Sequence, residues 1–223
     1  TDMIYHPGGA SAIVLQAVRI AVEAHAGQFR DDGTTPFIDH PLRVALRVAE
    51  DVAGFGRDLL APYSADETVA AAVLHDVPED VPADTRAYWE GRIGSTLGRN
   101  VLALAVFLRN PSKDLPQHTP RAEKKALDRD HYRNPTLPAA VRIVKLDDRP
   151  DNLGEMTTWA ARRIAGYADE SESLLDAILS GLWQSEECRR YGLVATQNAF
   201  KDPVSRYRAA VAAARQRAAG ATP

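Results

Sequence analysis

Apolar segments with helical periodicity recur along the chain, and this repetition constrains the fold more than any other feature of the sequence. Residues 11–24, SAIVLQAVRIAVEA, are apolar on most of their circumference, as expected for a buried helix. Ser64 and Glu67 have the spacing of a capping box ahead of the apolar run TVAAAVLH. Patterns typical of strands are scarce, and the sequence contains no internal repeat or low-complexity linker. The sequence therefore predicts an all-α fold organised as a single helical domain.

The predicted boundaries divide the chain unevenly. Residues 1–195 are expected to form the main domain, with a long helix from about Asp169 to Tyr191 that stops at a glycine. Residues 196–223 are expected to form a peripheral C-terminal helix and a tail. Residues 110–138 contain five prolines and many charged side chains, which predicts a long loop around a short helix. The sequence leaves open whether this segment acts as a lid.

Composition argues against several classes of partner. The formal net charge is −3, whereas proteins that bind nucleic acid generally carry a basic surplus. The single cysteine, Cys188, cannot form an internal disulfide, and the N-terminal TDMIYHPGG lacks a signal-peptide pattern. No apolar run approaches the ~20 residues needed to span a bilayer. We therefore expect a cytoplasmic protein with a small-molecule partner and with no nucleic-acid or membrane partner; the oligomeric state stays open.

The segment AAVLHDVPEDV places His75, Asp76, Glu79 and Asp80 directly after an apolar run. Pro78 disfavours helical continuation, so the four side chains are predicted to lie at a corner where a helix ends. Three neighbouring carboxylates repel one another unless a cation or a proton offsets their charge. A divalent metal meets this need, because His and Asp are good ligands for Mn²⁺, Fe²⁺ or Zn²⁺. The alternative is a helix cap followed by a solvated acidic turn, and for this segment alone it is the preferred interpretation.

Two further segments offer matching chemistry. His40, in IDHP, is expected at a helix N-terminus, where the neutral imidazole that binds metal is favoured over the cation. Asp148 follows the apolar stripe VRIVKL and is expected to project from a buried helix into a site. Each admits a simpler interpretation when taken alone: His40 caps a helix, and Asp148 pairs with Lys145 or Arg149 at the surface.

Three segments in this order, HAGQFRDDGTTPFIDHPLRVA, AAVLHDVPED and VRIVKLDDRPDNL, resemble the hydrolase domain of RelA/SpoT proteins. The resemblance covers roughly residues 11–155 and is strongest to the small alarmone hydrolases, which include the metazoan SpoT homologues. It implies the all-helical fold of the HD-domain metal-dependent phosphohydrolases. It also implies an activity, the Mn²⁺-dependent removal of the 3′-pyrophosphate from (p)ppGpp, which yields GTP or GDP and pyrophosphate.

The resemblance also implies roles for individual side chains. Four residues match the ligands of one Mn²⁺ ion: His40, His75, Asp76 and Asp148. Glu79 and Asp80 match the pair that activates and positions the attacking water. Arg30 matches an arginine on the guanine side of the pocket, and Asn152 matches an asparagine beside the nucleotide.

The chain departs from the family pattern on the nucleotide side of this expected pocket. Where the family usually has Lys after Arg30, this chain has Asp31 and Asp32, and where the family has Thr three positions after Asn152 it has Glu155. Acidic side chains are therefore expected beside a polyanionic substrate. Positive charge is available from six basic residues of segment 110–138: Lys113, Arg121, Lys124, Lys125, Arg129 and Arg133. For most of these a solvated helix face is the preferred interpretation.

These departures leave other functions open. The same metal site can be imagined acting on another nucleotide, such as the 2′-phosphate of NADPH. A non-catalytic nucleotide sensor would bind without turnover. A nucleic-acid-binding module ranks last, because the sequence shows no platform of aromatic and basic residues.

Overall fold

Helices make up nearly all of the regular structure in the computed structural model, which describes residues 11–220. The N-terminal TDMIYHPGG and the end of the expected tail, residues 221–223, lie outside this range. The α-helices of the described range are α1 (Ala12–Ala24), α2 (Asp39–Ala53), α3 (Arg57–Leu60), α4 (Ala65–Leu74), α5 (Val77–Asp80), α6 (Arg86–Leu97), α7 (Arg99–Leu108), α8 (Arg121–Arg133), α9 (Ala139–Glu155), α10 (Ala161–Trp183), α11 (Glu186–Tyr191), α12 (Leu193–Ala199) and α13 (Lys201–Ala218).

Very little other regular structure occurs in that range. Two short 3₁₀ turns, Pro111–Asp114 and Met156–Thr158, accompany the α-helices. The one β-bridge found between residues 11 and 220 joins Phe29 to Pro36. No helix in the same range has both the length and the apolar character needed to cross a bilayer. The predicted all-α class is confirmed.

The centre of the core is α4, which packs against α1, α2 and α7. Every residue from Thr68 to Leu74 is buried, so the helix is apolar around its whole circumference. Its start follows the predicted capping box: the Glu67 amide donates to Ser64 Oγ at 3.1 Å, and the Ser64 amide donates to Glu67 Oε2 at 2.8 Å. The helix ends at Leu74, and Pro78 lies in the first turn of the short α5. The predicted corner between the two halves of HDVPED is therefore confirmed.

The helical boundaries in the C-terminal third differ from the prediction. The helix expected from about Asp169 to Tyr191 begins earlier, at Ala161, and ends at Trp183. It stops because Ser185 caps a separate helix, α11, by accepting a hydrogen bond from the Cys188 amide at 3.1 Å.

The C-terminal helix α13 is not peripheral to the packing. It lies against α9 and α10 and buries Tyr207 and Val211 in the same hydrophobic cluster as the rest of the chain. Its Arg206 donates to Asp147 of α9 at 2.9 Å and also pairs with Asp51 of α2. Burial and the nearby Asp51 carboxylate raise the pKa of Asp147 to about 8. The domain boundary near residue 195 stays a prediction, although the core extends past it.

Segment 110–138 is more ordered than a loop. Its central helix, α8, has 13 residues and packs against α10. Arg142 of α9 secures the end of this segment, because its fully buried guanidinium donates to the carbonyl oxygens of Tyr132 and Asn134, each at 2.6 Å.

The packing of Arg142 predicts that Gly181→Ala destabilises the fold. A Cβ at Gly181 would lie 2.5 Å from Arg142 Nη1 and 2.7 Å from the Tyr132 carbonyl oxygen. We expect a loss of about 1–3 kcal/mol in the free energy of unfolding, the usual cost of overpacking, measured by urea denaturation. Gly166→Ala on the same helix is the matched control, because nothing lies within 4 Å of its added Cβ. Equal stability of the two variants would contradict this account.

Candidate metal centre and nucleotide pocket

Two buried histidines turn their Nε2 atoms toward the same two carboxylates. His40 Nε2 lies 3.2 Å from Asp148 Oδ1 and 3.6 Å from Asp76 Oδ2. His75 Nε2 lies 3.2 Å from Asp76 Oδ1 and 3.7 Å from Asp148 Oδ1. The structure thus brings together all four side chains that the sequence suggested as ligands, from α2, the α4–α5 corner and α9. Their role as ligands stays a prediction.

The hydrogen bonds of the two rings define which nitrogen faces this cluster. His75 Nδ1 lies 2.7 Å from the Ala72 carbonyl oxygen, and His40 Nδ1 lies 2.7 Å from Asp151 Oδ2. Both partners accept hydrogen bonds, so each Nδ1 carries the hydrogen and each neutral ring presents a lone pair at Nε2. Both Nε2 atoms are buried and have no hydrogen-bond partner. Two such nitrogens beside two carboxylates form a donor set that fits a divalent cation.

The charges around the cluster favour occupation by a cation. Burial alone would lower the pKa of His75, but the Asp76 and Asp148 carboxylates together outweigh burial and raise the pKa well above its usual value. Burial alone would raise the pKa of Asp148, but Lys145 and the two histidines together outweigh burial, and the pKa falls well below the usual range. Lys145 Nζ contacts Asp148 Oδ2 at 2.6 Å, which leaves Oδ1 facing the histidines. A metal ion at this point therefore replaces protons on the histidines.

Glu79 and Asp80 lie on α5, directly after the two predicted ligands of that corner, and segment 110–138 contacts both of them. The Asn110 amide donates to Glu79 Oε2 at 2.9 Å. Lys113 Nζ lies 3.1 Å from Glu79 Oε1 and 3.0 Å from Asp80 Oδ1. Burial and the nearby Asp76 carboxylate raise the pKa of Asp80. Asp80 therefore binds a proton more readily than an ordinary aspartate.

The other basic residues of this segment make different contacts. Arg121 pairs with Glu170 at 2.7 Å, and Arg133 pairs with Asp130 at 2.7 Å. Of the six basic residues named from the sequence, Lys113 is the one whose described contacts reach Glu79 and Asp80.

The two residues predicted to bind the nucleotide form a chain of hydrogen bonds that ends at the metal cluster. Arg30 Nη2 donates to Asn152 Oδ1 at 2.6 Å, and Asn152 Nδ2 donates to Asp148 Oδ1 at 2.5 Å. Arg30 also lies over the Phe37 ring, with its Cζ atom 5.1 Å from the ring centroid. Arg30 and Asn152 line an open pocket of about 660 Å³, a volume typical of small-molecule sites.

The acidic residues that depart from the family pattern do line this pocket, as predicted, but each has a local partner. Glu155 Oε2 accepts from Arg30 Nε at 2.7 Å. Asp31 Oδ2 accepts from Trp159 Nε1 at 3.0 Å. Asp32 Oδ1 accepts from two backbone amides of its own turn, each at 2.8 Å. Each carboxylate is thus hydrogen-bonded by the protein, Glu155 by a charged guanidinium and Asp31 and Asp32 by neutral donors.

The sequence reasoning missed the residues behind His40. Asp151 contacts His40 Nδ1, and it also accepts hydrogen bonds from Arg43 Nη2 at 2.8 Å and Arg47 Nη1 at 2.7 Å. The spacing of these residues along the sequence indicates which helix face each of them shares with a predicted ligand. Arg43 and Arg47 follow His40 by three and seven positions, and Asp151 follows Asp148 by three, so each set shares one helix face.

Comparison with known proteins adds independent support. The sequence profile of the HD domain matches residues 17–175, well over half of the chain. The chain belongs to the HD domain family. The paired His75 and Asp76 lie in the middle of the matched HD-domain segment.

Two relatives of this HD domain are named for the hydrolysis of guanosine polyphosphates. The chain is 28% identical over 174 residues to guanosine-3′,5′-bis(diphosphate) 3′-pyrophosphohydrolase MESH1 of Danio rerio, covering 75% of this chain and 85% of that protein. It is 32% identical over 157 residues to the bifunctional (p)ppGpp synthase/hydrolase SpoT of Escherichia coli K12, covering 67% of this chain but 19% of SpoT. A solved metazoan orthologue of SpoT shares the fold, with a TM-score of 0.61 at 20% identity over 89% of this chain and 97% of that structure.

The geometry of the HD-domain cluster predicts that a divalent cation stabilises the protein. A cation at 100 times its dissociation constant should stabilise the fold by about 2.7 kcal/mol and raise Tm by about 5–11 °C. His75→Ala should remove this shift while leaving the helical circular dichroism unchanged, because it deletes one of the two free Nε2 atoms. His118→Ala, at an exposed position, is the control and should keep the shift. A full shift in His75→Ala would contradict the ligand assignment.

Proposed function

We propose that this HD domain is a metal-dependent phosphohydrolase that removes the 3′-pyrophosphate of (p)ppGpp. The observation that carries the proposal is the pair of buried histidine Nε2 atoms that face the carboxylates of Asp76 and Asp148 without any hydrogen-bond partner. The substrate is inferred from the relatives, which are named for this hydrolysis. We propose Mn²⁺ as the metal, on the strength of the RelA/SpoT resemblance, and a cytoplasmic location.

The proposed ligands are His40, His75, Asp76 and Asp148. The metal would polarise a phosphoryl oxygen and lower the pKa of a bound water. The chain itself holds both imidazoles in the tautomer that presents Nε2, and Lys145 offsets the charge of Asp148 from the side away from the histidines. Three of the four ligands, His40, His75 and Asp148, are therefore held in orientation before any substrate arrives.

Asp80 is the proposed proton acceptor. Its raised pKa brings it closer to the value at which a general base works near neutral pH. Glu79 is held by the Asn110 amide and by Lys113, so it is better suited to orient the attacking water than to carry its proton away. Lys113 offsets the negative charge of both carboxylates beside an anionic substrate.

The pocket beside the metal cluster suits a nucleotide. Its wall includes the aromatic side chains Phe29, Phe37, Trp159 and Tyr167, which offer flat surfaces for a base. Arg30, fixed by Asn152 and Glu155, presents a guanidinium on the same wall. We propose that Arg30 binds the substrate at the aromatic wall of the pocket. Asn152 connects Arg30 to the metal cluster, because it accepts a hydrogen bond from Arg30 and donates one to Asp148.

Asp80→Asn should lower kcat for (p)ppGpp hydrolysis by about 10²–10⁴-fold, because it removes the general base. Metal binding should persist, since the assigned ligands are unchanged. Pyrophosphate release with Mn²⁺ measures the first effect, and calorimetric titration with Mn²⁺ measures the second. Asp84→Asn, at an exposed position in the next loop, should retain full activity. An Asp80→Asn enzyme with undiminished kcat would refute the assignment.

Arg30→Ala should raise KM by about 10- to 100-fold with a smaller effect on kcat, because hydrogen bonds to charged groups contribute about 1.5–3 kcal/mol. Steady-state kinetics on (p)ppGpp measure the change in KM and the change in kcat separately. Arg208→Ala, on the exposed side of α13, controls for loss of net positive charge.

The substrate itself is tested with a nucleotide panel. Wild-type protein with and without Mn²⁺ is incubated with ppGpp, pppGpp, GTP, ATP and NADPH, and phosphate and pyrophosphate release are followed separately. We expect pyrophosphate from the first two nucleotides only. Phosphate from NADPH without pyrophosphate from ppGpp would favour an HD-domain phosphatase, and binding without turnover would favour a sensor.

A further inference from the structure

We infer that Asp151, held by Arg43 and Arg47, is a positioning residue that orients His40 and thereby sets the metal affinity of the centre. This inference rests on the proposed metal site, but it concerns residues to which neither the resemblance nor the comparisons give a role. It assigns a purpose to three charged side chains that lie behind the cluster and not in it.

The first observation is the saturation of the Asp151 carboxylate. The side chain is 3% exposed. Oδ1 accepts from Arg47 Nη1 at 2.7 Å and from Arg43 Nε at 3.0 Å. Oδ2 accepts from Arg43 Nη2 at 2.8 Å and is 2.7 Å from His40 Nδ1. Two carboxylate oxygens offer about four acceptor positions, and all of them are occupied, so Asp151 has no lone pair left for a metal.

The second observation is the effect of this contact on His40. A carboxylate that accepts the Nδ1 hydrogen fixes the ring orientation and makes Nε2 a more basic ligand. His75 receives weaker support, because its Nδ1 donates to the neutral Ala72 carbonyl oxygen. The two histidines therefore differ in the charge of the group that accepts their Nδ1 hydrogen. Of the two, only His40 loses a charged partner when the Asp151 carboxylate is removed.

The third observation explains why a charged Asp151 is tolerated at a buried position. A buried carboxylate is costly unless it is paired and hydrogen-bonded. Arg43 and Arg47 supply two positive charges from the same face of α2 that carries His40. Their side chains are 37% and 36% exposed, so their own desolvation is incomplete. The ion pairs hold Asp151 in place, and among its described hydrogen-bond partners His40 is the one that is not an arginine.

The test compares Asp151→Asn with Asp147→Asn in the full chain. Both positions are buried carboxylates on α9, but Asp147 faces Arg206 of α13 and contacts no proposed ligand. Calorimetric titration of metal-free protein with Mn²⁺ measures the affinity, and urea denaturation measures the stability of each variant. We expect Asp151→Asn to bind Mn²⁺ about 10- to 100-fold more weakly than wild type. Asp147→Asn should bind as wild type does, whatever its stability.

A double-mutant cycle tests whether the arginines act through Asp151. Arg47→Gln should weaken Mn²⁺ binding in the wild-type background and should have no further effect in the Asp151→Asn background, because coupled residues are not additive. If Asp151→Asn does not fold, Arg47→Gln alone carries the test, since its side chain is partly exposed.

The outcomes separate this inference from the proposed function. Wild-type protein that binds no Mn²⁺ would overturn the metal site itself. If folded Asp151→Asn or Arg47→Gln binds Mn²⁺ with the affinity of the wild type, the positioning role is overturned. The proposed metal site is unaffected by that result.

Discussion

The charged contact between α2 and α9 is the interaction on which the rest of the structure depends. His40 and the two arginines of α2 face Asp148, Asp151 and Glu155 of α9. Asp151 and Glu155 accept hydrogen bonds from α2, and Asp148 accepts from Lys145 and Asn152 of its own helix. Burying so many ionised groups is unfavourable by itself. The apolar remainder of both helices offsets that cost, because Val44, Val48 and Ile143 are fully buried in the common core. The hydrophobic core thus holds together an array of charges that would not associate stably alone.

The parts of the site that the sequence could predict depend on local signals. A proline within a helical pattern disfavours continuation of the helix, so Pro78 predicted the corner that carries His75 and Asp76 without any tertiary information. The contact between His40 and Asp151 joins residues 111 positions apart, so spacing places each residue on a helix face but does not show that the two faces meet. The start of α10 was missed for a related reason: Ala160 supplies no capping side chain, so packing against α8 and α13 determines where that helix begins.

The nucleotide side of the pocket shows why single departures from a family pattern are hard to interpret from sequence. Glu155, taken alone, places a negative charge where a polyanion is expected. In the structure it is paired with Arg30 and Arg43, and Arg43 is itself paired with Asp151. The charges of these paired side chains act together. The electrostatic potential of the pocket therefore depends on all of them and cannot be deduced from Glu155 alone.

The link from Arg206 to Asp147 bears on what counts as the folding unit. The recognisable family segment ends at residue 175, yet α13, which begins at Lys201, supplies the cation beside a buried carboxylate immediately preceding Asp148. The segment that matches the HD-domain profile therefore ends before the hydrophobic core does, because the core includes residues of α13. A fragment trimmed to the matched segment would retain all eight residues to which the family resemblance gives a role and lose the helix against which α9 packs.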